Sequence, residues 1–103
     1  MDTTLRALAE PRRREILALI RDRELSSGEI AHHFPVTPPA ISQHLGVLRE
    51  AGLVEERRTG TRRLYRARLE GLREVREYLD AMWAEGLDRL KAHAELEERT
   101  RRG

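Results

Sequence analysis

Four arginines fall within seven residues of this chain. Arg57 and Arg58 precede Thr59-Gly60-Thr61, and Arg62 and Arg63 follow it. Leu53 and Val54 begin a strand, and Leu64 and Tyr65 lie on the returning one, so the segment reads as a hairpin with its arginines crowded at the tip. Like charges facing each other across a strand pair repel, and stability alone gives little reason to place four there. A phosphate backbone or a narrow minor groove would resolve that repulsion. The plainer alternative is a solvated hairpin kept soluble by arginine. Ser42 and Gln43 lie fifteen and fourteen residues before Arg57, and an amide such as that of Gln43 can bond adenine in a bidentate manner. The chemistry these residue types share is recognition of a nucleic-acid duplex.

Other reactive side chains do not assemble into an order that suggests catalysis. His32 and His33 stand in tandem and His44 follows, but no nucleophile, carboxylate and histidine fall in an active-site sequence, so no enzyme is expected. There are no cysteines, which excludes disulfides and thiolate metal sites. The formal net charge is only +2, but residues 54–69 carry six arginines against two glutamates, a local basic footprint that the bulk figure hides. No apolar run approaches the roughly 20 residues that cross a bilayer, and no hydrophobic signal segment follows the start, so a cytoplasmic location is expected.

The elements that must position these side chains follow from capping and periodicity. In a chain of 103 residues a single domain over 1–103 is expected. Residues 3–9 form a short helix with Leu5 and Leu8 at helical spacing. Pro11 opens a second helix to Arg21 that buries Ile16, Leu17 and Ile20. Arg12, Arg13 and Arg14 on it could approach phosphates or simply face water beside Glu10 and Glu15. Ser26-Ser27-Gly28-Glu29 has capping-box spacing, and the short helix behind it turns Ile30, Ala31 and Phe34 inward until Pro35 stops it. Thr37 caps the next helix, about 38–50, with Pro38 in its first turn and Ile41, Leu45 and Leu48 on the apolar face. Gly52 suits the position just past its end. Two short helices on a tight turn, followed by a basic hairpin at about 54–67, have the organisation of a helix-turn-helix with a wing.

From Glu70 to about Glu98 the pattern is one long helix. Leu72, Val75, Leu79, Met82, Gly86 and Leu90 recur at three- and four-residue steps, and Trp83, Leu87 and Ala94 widen the stripe. At 1.5 Å per residue it extends about 40 Å, more than the rest of a small domain can cover, so a symmetry mate is the simplest partner. Gly86 inside it implies a close backbone approach or a bend.

With these elements in place the sequence resembles the ArsR-type winged helix-turn-helix repressors. LAEPRRREILALI at 8–20 and AISQHLGVLREAGLVEERRTGTRRLYRA at 40–67 carry the resemblance most specifically. It implies a mainly α fold with a β-hairpin wing and a long C-terminal dimerisation helix. It also implies a homodimer bound to double-stranded operator DNA of inverted-repeat symmetry, repressing its own or a neighbouring operon. The implied recognition-helix contacts are Pro38, Pro39, Ala40, Ser42, Gln43, His44 and Gly46. Thr37 at the cap, Arg49, and the wing residues Arg57, Arg58, Arg62 and Arg63 complete the candidate DNA surface. His44 lies beside the apolar face, where a satisfied, partly buried imidazole is the competing reading. Relatives commonly carry lysine where Gly46 stands, a deficit that either Arg49 or the wing makes up or that leaves the affinity lower. The implied dimer contact comprises Leu5 and Leu8 with Leu72, Val75, Leu79, Met82, Trp83, Gly86, Leu87 and Leu90.

The departures from the family pattern bear on what is sensed. The positions of the paired-cysteine motif hold Ser26 and Gly28, so no soft-metal site is expected there. The last-helix ligand set of the zinc and nickel sensors falls on Asp80, Met82, His93 and Leu96, which retains two of four ligand types. Glu97 is one turn from His93, a spacing common on solvated helices. No cofactor or metal is expected, and an effector, if there is one, is a small molecule the sequence does not name. The alternative to a DNA-binding regulator is a dimeric ligand- or protein-interaction module.

Overall fold

The computed structural model describes residues 1–102. Its elements are α1 (Asp2–Ala9), α2 (Pro11–Leu19), α3 (Ser27–Ala31), α4 (Pro38–Glu50), β1 (Val54–Thr59), β2 (Arg62–Ala67), one turn of 3-10 helix (Leu69–Leu72) and α5 (Arg73–Arg102). The fold is the mainly helical winged helix-turn-helix that the sequence implies. Two compact units divide it, Met1–Arg73 and the helical segment beyond, and each is described by itself.

The first unit is built around Ile16, Ile20, Ile30, Ile41, Leu45, Leu48 and Leu53, all fully buried side chains. Each helix contributes the face its spacing marks out, with one exception. Helix α1 turns Thr4 and Ala7 inward and leaves Leu5 44 % exposed. Its C-terminal carbonyls, which have no partner within the helix, are taken by arginines of α2. Arg13 donates from Nε to the Ala7 carbonyl at 2.7 Å and from Nη2 to that of Arg6 at 3.1 Å, and Arg14 donates to that of Leu8 at 2.5 Å. Arg12 pairs with Glu15 at 2.9 Å, its guanidinium 4.9 Å from the centre of the Phe34 ring. Arg13 and Arg14 therefore do structural work that neither of the two sequence-based alternatives described.

The helix-turn-helix forms as the local chemistry dictates. Ser26 Oγ accepts from the Glu29 amide at 3.2 Å while a Glu29 carboxylate oxygen accepts from the Ser26 amide at 3.0 Å, a complete capping box. Helix α3 ends at Ala31, four residues before Pro35, and Phe34 packs onto the core from the turn that follows. Thr37 Oγ1 accepts from the Ala40 amide at 3.3 Å and caps α4. At the other end Gly52 takes φ 74°, its amide bonding the Arg49 carbonyl at 3.0 Å and the Leu53 amide bonding that of Leu48 at 2.9 Å. This double closure is the Schellman arrangement.

β1 and β2 pair antiparallel with Thr59 opposite Arg62. The two-residue loop places Gly60 at φ 63° and Thr61 at ordinary negative φ, as a II′ turn requires. A bridge unread in the sequence extends this sheet: Leu25 and Tyr65 exchange amide bonds of 3.1 and 2.8 Å. Gly71 is also held by a tertiary contact, since a Cβ there would sit 2.3 Å from the Gly52 carbonyl oxygen. The expected helix from Glu70 starts instead with the 3-10 turn and becomes α-helical at Arg73.

In the second unit α5 runs to Arg102, past the expected end at Glu98. Val75 is buried, whereas Tyr78, Leu79, Met82, Trp83, Leu87, Leu90 and Leu96 are exposed, Trp83 by 70 %. A Cβ on Gly86 would have nothing within 4 Å, so the close approach expected there is not made within the chain. No helix among the described residues is long and apolar enough to cross a membrane.

Candidate nucleic-acid interface

Capping and burial fix which side of α4 faces out. With Ile41, Leu45 and Leu48 buried, the residues left exposed are Pro38, Pro39, Ser42, Gln43, Gly46, Val47, Arg49 and Glu50, with Thr37 exposed at the cap and Ala40 partly so. Gly46 meets nothing, so the helix backbone is open to an approaching surface at that point. His44 is different. Its ring is partly buried, and Arg13 Nη1 lies 3.4 Å from Nδ1. Arginine only donates, so Nδ1 is the acceptor of a neutral imidazole. Burial first, and then the Arg13 charge, lower the His44 pKa below its usual 6.5.

The wing arginines divide between the two faces of the hairpin, because neighbouring residues along a strand point to opposite sides. Arg57 pairs with Glu24 at 2.8 Å and also donates to Thr59 Oγ1 at 3.1 Å. Arg62 donates to Glu29 at 2.5 Å, on the same oxygen that closes the capping box. The hydrogen bond from Arg57 holds the Glu24 carboxyl below its ordinary range and raises the Arg57 pKa. Glu29 is also lowered, first by its bond from the Ser26 amide and further by Ser26 Oγ and Arg62.

The other face carries Glu56, Arg58, Arg63 and Tyr65. Arg58 is directly opposite Arg63, and Glu56 opposite Tyr65. Glu56 accepts from Arg49 through Oε2 and lies 3.3 Å from Arg63 Nε through Oε1. Among the described residues Arg58 is the tip arginine without an ion pair. A groove of about 280 Å³ separates α4 from this face, lined by Ser42, Leu45, Gly46, Arg49, Arg63 and Tyr65. The structure thus brings Ser42, Gly46, Arg49 and Arg63 together and engages Arg57 and Arg62 elsewhere. Glu56 was missed in the sequence, although strand alternation from Arg58 puts it on this face.

The implied dimer residues also separate. Leu8 and Leu72 pack against the core of their own unit. Leu79, Met82, Trp83, Leu87 and Leu90 are exposed, and Tyr78, not singled out by spacing, joins them. Of the last-helix positions considered for metal, Asp80 lies 3.8 Å from Arg76 and His93 Nε2 lies 3.1 Å from Glu97.

A helix presented beside a basic hairpin, on a core of three further helices, defines the class as winged helix-turn-helix transcriptional regulators. Residues 10–56 match the family described as bacterial regulatory protein, arsR family. The chain belongs to the ArsR family, whose members regulate transcription through DNA and are not enzymes. It is 43 % identical over 86 residues to the HTH-type transcriptional regulator Rv2034 of Mycobacterium tuberculosis, covering 84 % of this chain and 80 % of that one. It is 37 % identical over 60 residues to the transcriptional repressor SdpR of Bacillus subtilis, covering 58 % and 67 %. Among solved structures, an ArsR-like transcriptional regulator from Rhodococcus sp. RHA1 superposes with a TM-score of 0.85 at 32 % identity, over 94 % of this chain and 89 % of that one. The homodimeric winged helix-turn-helix DNA-binding domain Mb0332 of Mycobacterium bovis gives 0.65 at 32 % identity, over 82 % and 78 %.

Proposed function

We propose that this chain is a homodimeric, cytoplasmic repressor of its own or a neighbouring operon, bound to an operator of inverted-repeat symmetry. Helix α4 enters the major groove and reads base edges, chiefly through Gln43, while Ser42, Arg49 and the wing hold the backbone. The observation that carries this reading is the groove that gathers Ser42 and Gly46 with Arg49 and Arg63, with Gln43 exposed on the same helix and Arg58 opposite Arg63. Homodimer formation is supported by the exposed apolar stripe of α5 and by the homodimeric relative from Mycobacterium bovis. In that assembly Leu5, Leu79, Met82, Trp83, Leu87 and Leu90 would be covered by a second copy. Repression is supported by the likeness to SdpR. Two identical recognition helices require two half-sites about one helical turn, or a multiple of it, apart. Selection of bound duplexes from random DNA tests this directly: an enriched inverted repeat is expected, and no enrichment over the starting pool would overturn it.

A further inference from the structure

We infer that Glu56 arranges Arg49 and Arg63 as a seat for one phosphodiester of the bound duplex, an assignment that rests on the DNA reading above. Glu56 is inward and the arginines outward: its side chain is 14 % exposed, theirs 58 % and 54 %. Each carboxylate oxygen takes one guanidinium, one from the last turn of α4 and one from β2. A guanidinium has five N–H donors in a fixed fork, so one bond to Glu56 orients the group and leaves donors for a second oxyanion. Two cations against one anion leave an excess of +1, and Arg58 across from Arg63 adds another. The groove they border is floored by Leu45 and Tyr65, edged by the Ser42 hydroxyl and uncovered at Gly46. That combination suits an anion attached to a sugar, which is what a nucleic-acid backbone presents.

The opposite face lacks these properties. Arg57 and Arg62 are each matched by one carboxylate, Glu24 and Glu29. A phosphate there would have to displace a carboxylate already hydrogen-bonded, with no excess charge to draw it in. The phosphate-bearing arginines are therefore Arg49, Arg58 and Arg63, and Glu56 is a positioning residue that touches no DNA.

Charge and positioning make opposite forecasts for Glu56. Removing a carboxylate beside a polyanion should by charge alone tighten binding. Removing a residue that aims two guanidinium groups should loosen it. Fluorescence-anisotropy titrations on the selected duplex at several salt concentrations decide between them. Glu56→Ala is expected to weaken binding about tenfold, the scale of one lost charge-assisted hydrogen bond. Glu56→Gln, which keeps one acceptor, falls between. In an Arg49→Ala/Arg63→Ala background the further change Glu56→Ala should no longer weaken binding and, with only the charge effect left, should tighten it, a result that general loss of structure would not give. Arg49→Ala and Arg63→Ala should each lower the slope of log affinity on log salt by roughly 0.9. Arg57→Ala and Arg62→Ala should leave it unchanged. Unaltered or tighter binding by a folded Glu56→Ala, or equal slope losses on both faces, would overturn the assignment. Wild-type protein without salt-dependent duplex binding would overturn the DNA reading itself, and the assignment with it.

Discussion

Arg58 and Arg63 face each other directly across the wing hairpin, two like charges at the same rung of the strand pair. Glu56 relieves Arg63 at 3.3 Å, but among the described residues no carboxylate pairs with Arg58. Opposed like charges cost a few tenths to about 1 kcal/mol. Arg58→Thr is therefore expected to raise the thermal midpoint by about 1–8 °C while weakening duplex binding. Calorimetry and anisotropy on the same preparation check both signs; a variant that bound DNA as tightly as wild type would remove Arg58 from the interface.

A second expectation separates two glycines. Gly71→Ala puts a Cβ 2.3 Å from the Gly52 carbonyl oxygen, where backbone must move. Overpacking of that kind costs about 1–3 kcal/mol. Gly86→Ala meets nothing within the chain and on propensity alone should add up to about 1 kcal/mol of helix stability. Chemical denaturation measures the two, and weaker dimerisation of Gly86→Ala would show that a partner's backbone packs there.

These two positions also mark what the sequence makes legible. The Ser26–Glu29 box, the Thr37 cap and the Gly52 stop were readable because each is closed within about four residues by its own backbone. The buried faces of α2 and α4 followed from spacing. Gly71 against Gly52, the Leu25–Tyr65 bridge and the Glu56 link to Arg49 depend on where distant segments meet, and periodicity carries no such information. The wing arginines were found by type, but their division between two faces required the register and the positions of Glu24 and Glu29. In α1 the core took Thr4 and Ala7, which no apolar spacing marks, and left Leu5, assigned to the dimer contact, exposed.

The pH dependence should reveal His44. Its folded-state pKa is lowered, so below about pH 6.5 the unfolded chain binds a proton that the folded chain does not. Stability from this source is intact above that pH and falls as pH drops toward the folded-state value. His44→Gln should flatten that segment of the stability profile between pH 7 and 5. Glu24 and Glu29, also lowered, act only further into acid, where protonation below their usual 4.5 releases Arg57 and Arg62. An unchanged slope in His44→Gln would mean that the ring is not held neutral.

Assembly can be tested on α5. Replacing Leu79 and Leu87 together by glutamate should convert a dimer to a monomer at micromolar concentration, read by sedimentation equilibrium. Leu79 and Leu87 are 56 % and 46 % exposed, so covering what remains of each contributes about half of the roughly 1.5–3 kcal/mol of full burial. Wild-type protein that sediments as a monomer at the same concentration would rule out the proposed interface.

In the proposed function α4 reads base edges through Gln43, exposed on the face opposite Ile41 and Leu45. The decisive measurement is anisotropy titration of wild type and Gln43→Ala on the selected operator and on a scrambled duplex at one fixed salt concentration. A bidentate contact predicts a loss of about 1–3 kcal/mol on the operator, almost none on the scrambled duplex, and relaxed preference at one base pair per half-site. Equal losses on both duplexes, or no loss on either, would contradict it.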